Sequence, residues 1–154
     1  MTTTTTNTTE NRMVTISPNL AVAARKFENG FFSRLPDSDS VEAAARYEKF
    51  LTLIQRYPDT PIAPTRDIDE MWHVHMLHPV AYYHDCMANF GEIIDHNGGF
   101  GNEAHEVPVL TATFQYTAAL WEKEFGEPYT SAGSGSVKCT RNCVSRCKRE
   151  CKTK

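Results

Sequence analysis

Between Val41 and Tyr57 the apolar residues Ala44, Tyr47, Leu51 and Ile54 recur at helical spacing, with Phe50 and Leu53 beside them. A period of 3.6 over that length predicts a long helix, opened by Ser38 or Ser40 and stopped by Pro58. No stretch of the chain alternates apolar and polar residues, which is the pattern a half-buried strand requires. The expected fold class is therefore all-α.

Prolines and glycines cut the rest into helix-length pieces. Ser17-Pro18 reads as a cap and first helical position, leading LAVAARKFENG to a stop at Gly30. Thr65 or Asp67 opens a short helix through Leu77, and Pro79 begins another, PVAYYHDCMANFGEIIDH, that frays near Gly91. After the glycine-rich loop NGGFGNEAHEVP comes LTATFQYTAALWEKEFG, with Phe114, Thr117, Leu120 or Trp121 and Phe125 on one face and Gly126 and Pro128 at its end. These pieces predict a compact bundle of about five helices over residues 14–130. Residues 1–13 are a threonine-rich arm with too little apolar surface to order itself. Residues 131–136, SAGSGS, are a flexible linker, and residues 137–154 form a separate tail.

No apolar run approaches the ~18 residues a membrane span needs, and the N-terminus lacks the basic and apolar blocks of a signal peptide. The chain is thus expected to be soluble and cytoplasmic. Its net charge of -3 conceals an asymmetry. Residues 137–154 hold seven basic residues and one acid, a net of +6, against 9 basic and 18 acidic residues elsewhere, a net of -9. Such a tail can fold back on the body or reach an acidic partner, a nucleic acid or a membrane surface.

All six histidines lie between His73 and His105, four of them in DIDEMWHVHMLHPVAYYHD. Asp69 and His73 are four apart and share a helix face, whereas His73 and His75 point roughly 160° apart. On an unbroken helix those two imidazoles cannot chelate one ion. His75 joins a site only if the helix distorts before Pro79; otherwise it supports the ligands or faces the opposite helix interface. Further ligands must come from elsewhere, and Asp95-His96 are the nearest candidates along the chain. The candidate body site is Asp69, His73, His75 and His96, a histidine and carboxylate set suited to zinc or non-haem iron. The competing reading makes these residues hydrogen-bonding members of the core beside Trp72, Tyr82 and Tyr83, and His78 and His84 are read that way or as solvent-facing. Asp69 orienting His73 in a metal-free acid/base site is a third alternative, although no serine or cysteine nucleophile sits beside it.

RDIDEMWHVHMLHPVAYYHDC, then Asp95-His96, then LWEKEFGEPY resemble, in that order, the motifs of the glycine-rich domain-containing protein-like family. The resemblance spans roughly residues 40–130, with D-x-x-W-H-x-H and F-G-E-P-Y as its specific parts. Carried over by position, the family's characteristic residues are Asp69, Trp72, His73, His75, Pro79, Tyr82 or Tyr83, Asp85, Asp95 and His96. The resemblance implies a polar, ligand-rich site and no particular reaction. Plant members look like regulatory proteins, some with added nucleic-acid-binding segments. This chain lacks the long glycine-rich region and any aromatic ribonucleoprotein motif, so nucleic acid is not an expected partner.

Cys139, Cys143, Cys147 and Cys151 recur every four residues in VKCTRNCVSRCKRECKTK, while Cys86 sits in an apolar helical pattern and reads as a small buried hydrophobe. On a helix the four tail thiols would form one stripe about 18 Å long, too long for a single tetrahedral zinc with Zn–S bonds of about 2.3 Å. Pairs of them could hold zinc, or the stripe could hold copper(I), and the flanking cations favour thiolates. The leading expectation is a metal-binding protein with two ligand sets, and an enzyme if the body site keeps an open position. One alternative is a precursor peptide, its body a leader and its tail the substrate of a modifying enzyme. Another is an electrostatic adaptor whose +6 tail docks on an acidic protein partner or on nucleic acid.

Overall fold

The computed structural model describes residues 12–130, so the arm up to residue 11, the linker and the cysteine tail lie outside the described residues. The described part contains five α-helices and no strand: α1 (Leu20–Lys26), α2 (Asp37–Arg56), α3 (Arg66–Met76), α4 (Pro79–Phe90) and α5 (Val107–Phe125), with a 3-10 turn at Phe31–Arg34. The all-α expectation holds. No helix among the described residues is long and apolar enough to cross a membrane.

Helix boundaries differ from the sequence reading where side chains have other partners. Ser17 does not cap α1, because its N–H and hydroxyl both donate to Asp85 Oδ2, at 2.8 and 2.9 Å. Asn19 caps instead, accepting from the Val22 N–H at 3.1 Å. The helix also ends at Lys26, well before Gly30, and the 3-10 turn follows. α2 begins at Asp37 without a side-chain cap; Ser40 Oγ donates to the Asp37 carbonyl, and Asp37 and Asp39 complement the positive end of the helix. α5 starts at Val107, inside the expected loop, since Pro108 is tolerated in a first turn.

α2 lies centrally, packed on α1 and α3, and α4 packs on α3. Tyr47, Phe50 and Leu53 of α2 are fully buried with Ile68, Met71 and Trp72 of α3. A buried side chain such as Phe50 or Leu53 contributes about 1.5–3 kcal/mol by leaving water. α5 joins through Thr117, Leu120 and Trp121, and Thr117 Oγ1 accepts from the Ala63 N–H at 2.9 Å. Cys86 is buried, as its apolar surroundings suggest, and burial pushes its thiol pKa up.

A polar clasp closes the base of α3. Arg46 Nε donates to Asp67 Oδ2 at 2.7 Å, while its Nη2 donates to Thr65 Oγ1 and to the Tyr129 carbonyl at 3.1 and 2.8 Å. Tyr129 Oη accepts from the Thr65 N–H and donates to the Ala63 carbonyl. The guanidinium also lies 5.0 Å from the Trp121 ring centroid. Sequence reasoning passed over this group, although an arginine among the apolar positions of α2 was a sign of a buried partner.

Candidate metal centre

α3 runs unbroken from Arg66 to Met76, so its 3.6-residue period decides which side chains meet. Asp69 is fully buried and His73 stands one turn further on, Nδ1 lying 3.8 Å from Asp69 Oδ2. His96 arrives from the irregular segment after α4 and places Nε2 2.9 Å from Asp69 Oδ1. The rings of His73 and His96 are 4.6 Å apart, and Trp72 meets His96 edge-on at 4.9 Å. One ligand atom from each of Asp69, His73 and His96 lies within 4.8 Å of the others, so the group could hold a metal ion.

The donor chemistry fits one. Two imidazoles and a carboxylate are the ligands that zinc and iron(II) take. Donor atoms bound tetrahedrally to one ion at about 2.1 Å lie about 3.4 Å apart, so binding would draw the three donors together by roughly an ångström. The His96 side chain is 5% exposed and that of His73 is 37% exposed, which gives the cluster one solvent-facing side. A buried carboxylate such as Asp69 needs compensation, and the two imidazoles are placed to give it. Glu70, the next residue along, has its carboxyl pushed up chiefly by burial.

His75 is not among the three. Its Nδ1 lies 3.0 Å from Tyr47 Oη and its Nε2 3.1 Å from Asp85 Oδ2, on the opposite side of α3. Asp85 as a carboxylate only accepts, so His75 Nε2–H donates and Nδ1 accepts the tyrosine proton. Burial, opposed by Asp85, lowers the His75 pKa. Asp95 is exposed and takes no place in the cluster. His78 Nδ1 donates to the Val74 carbonyl at 2.8 Å, and His84 lies exposed against Tyr83. Cys139, Cys143, Cys147 and Cys151 lie outside the described residues. The Tyr47–His75–Asp85–Ser17 chain was not foreseen, because Ser17 and Asp85 are 68 residues apart and no local pattern joins them.

Two relatives from Arabidopsis thaliana, glycine-rich domain-containing protein 1 and glycine-rich domain-containing protein 2, are each 36% identical to this chain over 97 residues. That stretch is 60% of this chain and 12% of each relative, so the likeness concerns a small part of much longer proteins. No solved structure matches the chain. The model of one family, glycine-rich domain-containing protein-like, matches residues 3–85, a span that includes Asp69 and His73 and stops short of His96. As that match covers more than half of the sequence, the chain belongs to the glycine-rich domain-containing protein-like family.

Proposed function

We propose that this protein binds a divalent metal ion, zinc or iron(II), through Asp69, His73 and His96. The observation that carries the reading is the convergence of a fully buried carboxylate with two imidazoles, one from the next turn of α3 and one from 27 residues downstream. Three protein ligands leave coordination positions for water or oxygen, the condition under which a metal site becomes catalytic. The exposed flank of His73 supplies the access such a position needs.

The tail thiols Cys139, Cys143, Cys147 and Cys151 form the second ligand set, suited to copper(I) or zinc. Tyr129, next to the last described residue, is anchored at Thr65, one turn before Asp69. The nine residues from Ser131 to Cys139 could span at most ~30 Å. A reducing compartment, the cytoplasm, would keep these thiols available.

Metal content per chain, measured by elemental mass spectrometry on freshly purified protein, tests the reading. The full chain carrying Cys139→Ser, Cys143→Ser, Cys147→Ser and Cys151→Ser should retain close to one equivalent of zinc or iron, and adding His73→Ala should remove it. Metal that survives His73→Ala and vanishes with the cysteines would place all binding in the tail and leave Asp69, His73 and His96 as a polar core. A covalent mass increase confined to residues 139–151 would favour the precursor alternative instead.

A further inference from the structure

Residues 91–106 form neither helix nor strand, yet the third member of the cluster sits among them. Gly91, at φ +73°, turns the chain out of α4, and no backbone ladder then fixes the direction in which His96 is presented. A side-chain relay from α3 through α4 holds the segment, beside a hydrogen bond between the Ile94 backbone and the Cys86 thiol. Trp72, fully buried next to His73, donates its indole N–H to Tyr82 Oη at 2.9 Å. Tyr82 Oη–H then donates to the carbonyl of Ile94. An indole nitrogen only donates and a carbonyl only accepts, so the single phenol hydroxyl can serve both in just one direction. Ile94 is itself buried and lies two residues before His96, whose ring meets the edge of Trp72.

We propose that Trp72 and Tyr82 are positioning residues for the metal centre, holding the segment that carries His96 so that its imidazole meets Asp69 before any ion arrives. The inference rests on reading Asp69, His73 and His96 as metal ligands. A ligand carried on an irregular segment must otherwise be ordered at the moment of binding, and that ordering entropy weakens affinity. The relay also gives a reason for a tryptophan beside His73 and a tyrosine ten residues on: each holds the loop ligand without touching the ion.

The test is metal titration of the full chain carrying the four tail Cys→Ser substitutions, with cobalt(II) and zinc(II) as probes. Tyr82→Phe keeps the ring and deletes the hydroxyl. It should weaken both metals by about 10–100-fold, the usual effect of losing a group that orients a ligand. In a His96→Ala background, the same change should cost nothing further. Affinity within two-fold of the parent, or equal losses with and without His96, would overturn the proposal. A parent that binds neither metal would sink the underlying metal reading as well. Because Tyr82 is buried and its variant could fold poorly, the metal-free parent supplies an independent check. Backbone order parameters at Ile94–His96 should be near ~0.85, and values below ~0.6 would show that nothing holds the segment in advance.

Discussion

Asp85 Oδ2 lies 3.1 Å from Nε2 of His75, and this contact fixes the second histidine of the W-H-x-H run to α4 while the first looks toward Asp69. Two imidazoles two residues apart thus serve opposite sides of one helix. His75→Ala should leave metal content unchanged, because His75 is not among the three clustered residues. It should cost about 2–4 kcal/mol in urea unfolding, since it opens a cavity and strips Tyr47 and Asp85 of a buried partner. Loss of metal with no loss of stability would reverse this assignment.

Zinc should raise the melting temperature. A ligand present at a hundred times its Kd stabilises the folded form by about 2.7 kcal/mol, which differential scanning fluorimetry on the tail Cys→Ser chain would read as a shift of several degrees. Imidazole ligates only when deprotonated, so the shift should shrink as the pH is lowered. Asp69→Asn should abolish it at every pH.

Arg46→Ala should be among the most damaging single changes in the body. It removes the partner of Asp67 and the donor to Thr65 and Tyr129 together, leaving a carboxylate buried without its cation. The expected cost is about 3–5 kcal/mol, measured by urea titration with tryptophan fluorescence. Tyr129→Phe should cost less, about 1–3 kcal/mol, because it strands only the Thr65 N–H and the Ala63 carbonyl.

Acid sensitivity should appear at Glu124. Its carboxyl is held below the ordinary value of 4.5, first by the hydrogen bond from Tyr57 Oη at 2.6 Å and then by Arg56. For an acid with a depressed folded pKa, the stabilisation is fully present above the unfolded value and is lost as pH falls through the folded one. Wild type should therefore exceed Tyr57→Phe in stability by a constant margin from neutral pH down to about 5, a margin that narrows below 4.5. Unfolding titrations at a series of pH values would show it, and a margin that widened in acid would contradict the geometry.

What the sequence disclosed, and what it withheld, follows the range of the forces involved. The 3.6 period of α2 and the proline at the start of α4 are local, and both elements stand where that period and that proline place them. The i, i+4 relation of Asp69 and His73 is equally local. So is the opposition of His73 and His75, which needed only an unbroken helix. The arrival of His96 depends on a loop held by Trp72 and Tyr82, and spacing alone gave no reason to prefer it over Asp95. Ser17 shows the limit most clearly: every local rule made it a cap, yet a carboxylate 68 residues away had already taken both of its donors.

The described chain is fastened near each of its ends. Val14 is buried and donates its N–H to Thr52 Oγ1, and Tyr129 is buried in the clasp at the base of α3. The core is therefore sealed just inside its own borders, as a cartridge is sealed before it is fitted to a larger instrument. Among the described residues, only Arg12, Met13 and Thr130 lie beyond those two anchors. The stretch this chain shares with its plant relatives makes up only 12% of each of them.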